Sequence, residues 1–141
     1  MAKFLLLEDD RYLSKRLCEA LSEHGHQVLP TFSVGDALDH LQAHPDIDLV
    51  IVDLVIDGVG FRASESGLGL LKELRAGDHS RIPTIAMSAG FASIHGAHQR
   101  ELARFFGAHE TLAKPFEIER LLQKISLVLP PLSPFKLQNE G

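Results

Sequence analysis

The chain has 141 residues, 45% of them apolar and 23% charged, an ordinary balance for one domain with a full-sized core. The formal net charge of −5 argues against a non-specific nucleic-acid binder. The lone cysteine, Cys18, excludes an intramolecular disulfide and fits a reducing compartment, and the early apolar run Phe4 to Leu7 is too short for a signal-peptide core or a membrane span. The expectation is a cytoplasmic protein, or a domain of one, with neither a membrane nor a direct nucleic-acid partner.

Lys3 to Leu7 reads as a short buried strand, closed by Glu8-Asp9-Asp10. From Arg11 to His24 the apolar residues Leu13, Leu17, Ala20 and Leu21 recur at helical spacing, and Gly25 ends the helix. Gln27 to Thr31 is a second strand. Ser33 caps a second helix, Val34 to Ala43, and Pro45 stops it. Leu49 to Asp53 is a continuous apolar run that ends in a carboxylate, the pattern of a strand buried on both faces. A long polar loop, 57–66, leads to a helix over Gly67 to Ala76. Pro83 to Met87 is the fourth strand, and Ala97 to Phe106 a helix expected to turn Leu102, Phe105 and Phe106 inward. Glu110 to Ala113 is the fifth strand, and Glu117 to Leu129 the last helix.

Strand and helix alternate five times, which predicts a parallel sheet with helices on both faces: a three-layer α/β/α, flavodoxin-like doubly wound fold with strand order 2-1-3-4-5. Residues 1–129 form the domain. Residues 130–141, with prolines that cannot continue a helix, read as a tail or the start of a linker.

In that order the first and third strands are neighbours, and their carboxyl ends meet where ligands bind in such sheets. Glu8, Asp9 and Asp10 follow the first strand, and Asp53 ends the third. Acids so gathered repel one another and call for a cation, and oxygen-only ligands suit Mg²⁺. Ser88 ends the fourth strand and Lys114 the fifth, so a hydroxyl and an ammonium reach the same edge. This set suits phosphoryl transfer: Asp53 as the nucleophile, Lys114 and the metal neutralising phosphoryl oxygens, Ser88 hydrogen-bonding one of them, and Ala89 leaving room.

The strand-end motifs carry a resemblance. Leu5-Leu6-Leu7-Glu8-Asp9-Asp10, Leu49 to Leu54, Ser66-Gly67-Leu68-Gly69-Leu70-Leu71, Met87-Ser88-Ala89 and Lys114-Pro115-Phe116 occur in order. The chain, over Lys3 to Leu129, resembles the receiver domain of bacterial two-component response regulators, of the chemotaxis-regulator type. The resemblance implies a phosphoacceptor at Asp53, served by a histidine kinase or histidine phosphotransfer protein, rather than an enzyme with turnover. It implies Mg²⁺ held by Asp9, Asp53 and the carbonyl of Val55, with Glu8 acting through water. It gives Ser88 and Lys114 the family's switch-hydroxyl and lysine roles, and Pro115 a cis bond that aims Lys114. Output to an effector domain or partner would run through the fourth helix, fifth strand and fifth helix, and a homodimer is within its scope.

Departures from the pattern are as informative. Asp57 stands where receivers carry proline, in a loop longer than the family's, so this acid and its loop are expected to modulate the site. Thr111 stands at the family's aromatic switch position. Two other readings compete: a degenerate receiver that binds partners without phosphorylation, and an Asp-nucleophile phosphohydrolase. The latter needs a second acid two residues after the nucleophile, where this chain has Val55. The eight histidines lack a zinc-type spacing.

Overall fold

The computed structural model describes residues 2–54, 67–77 and 79–129. Its five strands are β1 (Lys3–Leu7), β2 (Gln27–Thr31), β3 (Leu49–Asp53), β4 (Thr84–Ser88) and β5 (Glu110–Ala113). They form one parallel sheet in the order β2-β1-β3-β4-β5, as expected. The helices are α1 (Arg11–Glu23), α2 (Val34–Ala43), α3 (Gly67–Ala76), α4 (Gly96–Phe105) and α5 (Ile118–Val128). A short 3₁₀ turn, Ala89–Ala92, links β4 to α4.

The sheet separates two apolar layers because alternate side chains of each strand point to opposite faces. On one face Leu5, Leu7, Val50, Val52 and Ala86 meet α2, α3 and α4. On the other, Phe4, Leu6, Leu49, Ile51, Ile85 and Met87 meet α1 and α5 through Leu17, Leu21, Leu121 and Ile125. β3 lies at the centre and all five of its residues are buried, which is why its sequence is apolar without alternation. β2 is an edge strand. Its Gln27 N–H and Thr31 carbonyl bond the β1 side, so Pro30, at the alternate position, faces the open edge where no N–H is needed.

The helix starts follow local chemistry. Ser33 caps α2 by accepting the Asp36 N–H at 3.1 Å, a bond of the kind worth about 1 kcal/mol. His24 closes α1, and Gly25 takes φ +85°, where a side chain is disfavoured.

α4 corrects the expectation for its face. Leu102 and Phe105 are 44% and 66% exposed rather than inward. Gly96 and Ala103 are the buried residues of the helix. The reason lies one turn earlier: Phe91, from the 3₁₀ turn, is buried in the same layer as Ala103 and fills the space beneath α4. The helix therefore approaches on small residues while Leu102 and Phe105 stay outside; Phe106, at its C-terminal cap, packs partly buried against the core as expected. β4 also runs one residue later than expected and includes Ser88.

His26, just before β2, stacks on Phe4 with ring centroids 4.7 Å apart. Burial, followed by nearby positive charge that includes His24, pulls its pKa below the ordinary 6.5. A depressed folded pKa gives stability that is present above the unfolded value and lost as pH falls through the folded one. Urea unfolding at pH 7.5 and pH 5.5 should therefore show a larger acid loss for wild type than for His26→Gln. Equal losses would mean that His26 titrates alike in both states.

Candidate functional site at the carboxyl edge of the sheet

Strand register alone brings the polar residues together. Leu7 pairs with Val52, Asp53 with Met87, and Ser88 with Ala113. Glu8 and Lys114, each one step past its strand, thus emerge at the level of Asp53 and Ser88. The end of β1 is fixed by its edge neighbour: the Glu8 N–H donates to the Thr31 carbonyl at 3.1 Å, and the Thr31 hydroxyl donates to the Leu6 carbonyl at 2.8 Å.

Glu8, Asp9 and Asp53 each place a carboxylate oxygen within 4.8 Å of the others. Asp10 does not join them. It caps α1, accepting the N–H groups of Tyr12 at 3.0 Å and Leu13 at 3.1 Å. The acidic run thus divides into two residues for the site and one for the helix end, where a carboxylate complements the dipole.

Lys114 precedes a cis peptide bond to Pro115, as the resemblance implied. Its ammonium donates a hydrogen bond to Glu8 Oε1 and lies 3.1 Å from Asp53 Oδ2. Glu8 is fully buried and Asp53 is 5% exposed. Burial pushes the Glu8 carboxyl above its ordinary 4.5, the bond from Lys114 offsets part of that, and the Asp53 charge adds to it. Burial lowers the Lys114 pKa, but the bond to Glu8 and the charge of Asp53 outweigh it, so the ammonium is held above its usual range. Among the described residues, the site thus gathers three acids, Glu8, Asp9 and Asp53, around the Lys114 ammonium.

Ser88 is buried, and its hydroxyl accepts the Gly90 N–H at 3.0 Å. A hydroxyl can accept there and still donate its own proton. Ala89 follows, exposed, as the first residue of the 3₁₀ turn. Thr111 is buried on β5, paired with Ala86. Val55 and Asp57 lie outside the described residues.

Two participants were not anticipated from the sequence. Thr31 ties the end of β1 to β2. Gly67, the first residue of α3, sits directly on the end of β3: a Cβ there would run into the carbonyl oxygen of Asp53 and the Cα of Leu54. Gly67 belongs to the motif Ser66-Gly67-Leu68-Gly69-Leu70-Leu71, but what its missing side chain makes room for was not legible there; a glycine at the start of a helix, where its propensity is low, was the physical signal.

Such an arrangement can hold a divalent cation on Glu8, Asp9 and Asp53 and an anion between that cation, Lys114 and Ser88. The sequence profile described as the response regulator receiver domain matches residues 4–126. The chain belongs to the receiver-domain family of two-component response regulators. The chain is 32% identical over 133 residues to the protein PilH of Pseudomonas aeruginosa, covering 92% of this chain and 98% of PilH. It is 31% identical over 129 residues to the transcriptional regulatory protein CpxR of Escherichia coli, covering 92% of this chain but 50% of CpxR. The receiver thus spans about half the length of that relative. Among solved structures, the Vibrio cholerae chemotaxis protein CheY4 superposes with a TM-score of 0.78 at 23% identity, over 92% of this chain and 99% of that one, a likeness of fold. No helix among the described residues is long and apolar enough to cross a membrane.

Proposed function

We propose that this receiver accepts a phosphoryl group on Asp53 from a histidine kinase or histidine phosphotransfer protein, with Mg²⁺ held by Glu8, Asp9 and Asp53. The observation that carries the reading is the placement of Asp53: a nearly buried carboxylate between a lysine ammonium at 3.1 Å and two further acids. A structural ion pair needs one acid for one base. Among the described residues the three acids exceed the one base, and the excess fits a cation. When bound, that cation supplies charge neutralisation for phosphoryl oxygens.

The chain's own residues do the rest. An Asp53 oxygen attacks phosphorus, and the P–N bond of the donor phosphohistidine breaks, with the electron pair leaving on the imidazole nitrogen. Lys114 offers its ammonium to the arriving phosphoryl oxygens and so shares its attention with Glu8. Ser88 donates its hydroxyl proton to another oxygen, and Ala89 keeps the approach open. Val55, through its carbonyl, and Asp57 join this proposal as a cation ligand and a loop modulator. The domain works in a cytoplasmic phosphorelay, and an effector domain or partner reads its state.

Incubation with acetyl phosphate and Mg²⁺, followed by intact mass, tests this. Wild type should gain one phosphoryl group, chelation of the metal should suppress the gain, and Asp53→Asn should show none. An adduct that survives Asp53→Asn would reassign the acceptor. A wild type without adduct would favour the degenerate receiver. Rapid release of phosphate from a generic ester would mark a phosphohydrolase.

A further inference from the structure

The 3₁₀ turn after Ser88 is held to α4 at three points. The Arg100 guanidinium donates to the Phe91 carbonyl at 2.6 Å. Gly96, the first residue of α4, lies against that same carbonyl, close enough that a Cβ would collide with it, and the Arg100 Nη1 is 3.2 Å from the same Cβ position. The Gln99 side chain packs over Gly90, where a Cβ would meet its carboxamide. Phe91 itself is 2% exposed and anchored in the layer beneath α4. Ser88 is tied into this assembly because its hydroxyl accepts the Gly90 N–H.

The alternative route out of the site is poorly equipped. Thr111 on β5 is small and buried, paired with Ala86, and offers no ring to move between inward and outward positions. The buried aromatic nearest Ser88 in sequence is Phe91, three residues on, within the turn.

We propose that Arg100 couples the turn after Ser88 to α4 and carries the phosphoryl signal into that helix through the main chain of Phe91. Any movement of Ser88 toward a phosphoryl group draws the Gly90 N–H with it, then the Phe91 carbonyl. A charged donor on that carbonyl moves with it or is released, and either event changes the seating of α4. A buried core resists small continuous deformation, so the turn and the helix shift together. This rests on the phosphoacceptor reading and names the element that reports it.

The test uses the whole chain with Mg²⁺ and beryllofluoride, a stable phosphoryl mimic, and follows amide NMR shifts. In wild type, shifts should appear at Asp53 and Ser88 and along α4. Arg100→Gln should keep the first group and shrink the α4 shifts to about half or less, because the coupling contact is gone. Arg100→Lys should restore part of them, since an ammonium can still reach a carbonyl. Thr111→Val should leave the α4 shifts essentially unchanged. Unaltered α4 shifts in Arg100→Gln, or their loss in Thr111→Val, would overturn the proposal while leaving Asp53 as acceptor. Absence of wild-type shifts at Asp53 and Ser88 would instead overturn the phosphoacceptor reading, and this proposal with it.

Discussion

Lys114→Met should destabilise the metal-free domain by about 3 kcal/mol at neutral pH, the cost of leaving a buried charge without its partner. The Lys114 ammonium is the cation hydrogen-bonded to Glu8, which is fully buried, and it lies 3.1 Å from Asp53. Without it, Glu8 loses its bonded cation while the Asp53 and Asp9 carboxylates remain close by. The pH dependence has a definite sign. Burial already raises the folded Glu8 pKa above 4.5, so its contribution is fully present below that value and is lost as pH rises through the folded value. Removing Lys114 raises the folded value further. The deficit should therefore be largest at neutral pH and should shrink toward weakly acid pH, as Glu8 takes up a proton.

Millimolar Mg²⁺ should also narrow the deficit, because a cation on Glu8, Asp9 and Asp53 relieves the same repulsion. Urea unfolding of both proteins at pH 7.5 and pH 5.5, with and without Mg²⁺, measures all of this. A variant that matches wild type at pH 7.5 without metal would show that the Lys114–Glu8 pair does not hold the site together.

Gly67→Ala should cost about 2 kcal/mol of stability and slow labelling by acetyl phosphate tenfold or more, by overpacking and by displacing the acceptor. The groups a methyl would meet are main-chain atoms of Asp53 and Leu54, and no flexible side chain can move aside. Space, not backbone conformation, is the constraint, since Gly67 is not among the residues with positive φ. Either α3 backs away from the sheet or the segment carrying Asp53 moves. Gly35→Ala is the matched control. Gly35 lies within α2 with nothing near a new Cβ, so alanine there should be neutral or stabilise by about 0.5–1 kcal/mol through helix propensity. Denaturation midpoints and labelling rates for both variants decide the matter. Labelling of Gly67→Ala at the wild-type rate would mean that α3 yields instead of the acceptor.

The most legible parts of the chain were those where local pattern and global fold agree. The apolar runs Phe4 to Leu7 and Leu49 to Val52 could only be strands buried on both faces. Their regular alternation with helical stripes required a parallel sheet, left few topologies, and with five strands favoured the order that the structure has. The reading of Glu8, Asp9, Asp53, Ser88 and Lys114 as neighbours followed from that order, because parallel strands deliver their carboxyl ends to one edge. What local pattern misjudged was α4. Leu102 and Phe105 have helical spacing, but spacing reports that a face is apolar, not what it meets. Phe91, five residues before the helix begins, had already taken the space beneath it.

The sequence by itself therefore determined the architecture and the sheet edge at which Glu8, Asp9, Asp53, Ser88 and Lys114 gather, since strand burial and chain order are enough for both. Tertiary structure alone decided how the members divide their work. Asp10 leaves the acid cluster because α1 has backbone donors to satisfy at its start. Glu8 pairs with Lys114 across 106 residues because parallel strands, with β3 and β4 between β1 and β5, release both at the same edge of the sheet. Gly67 is required by a main-chain contact with Asp53. Arg100 reaches the Phe91 carbonyl because Gly96 lets α4 close on the turn. Each of these is a distance between atoms remote in sequence or free to turn either way, and only packing sets such distances.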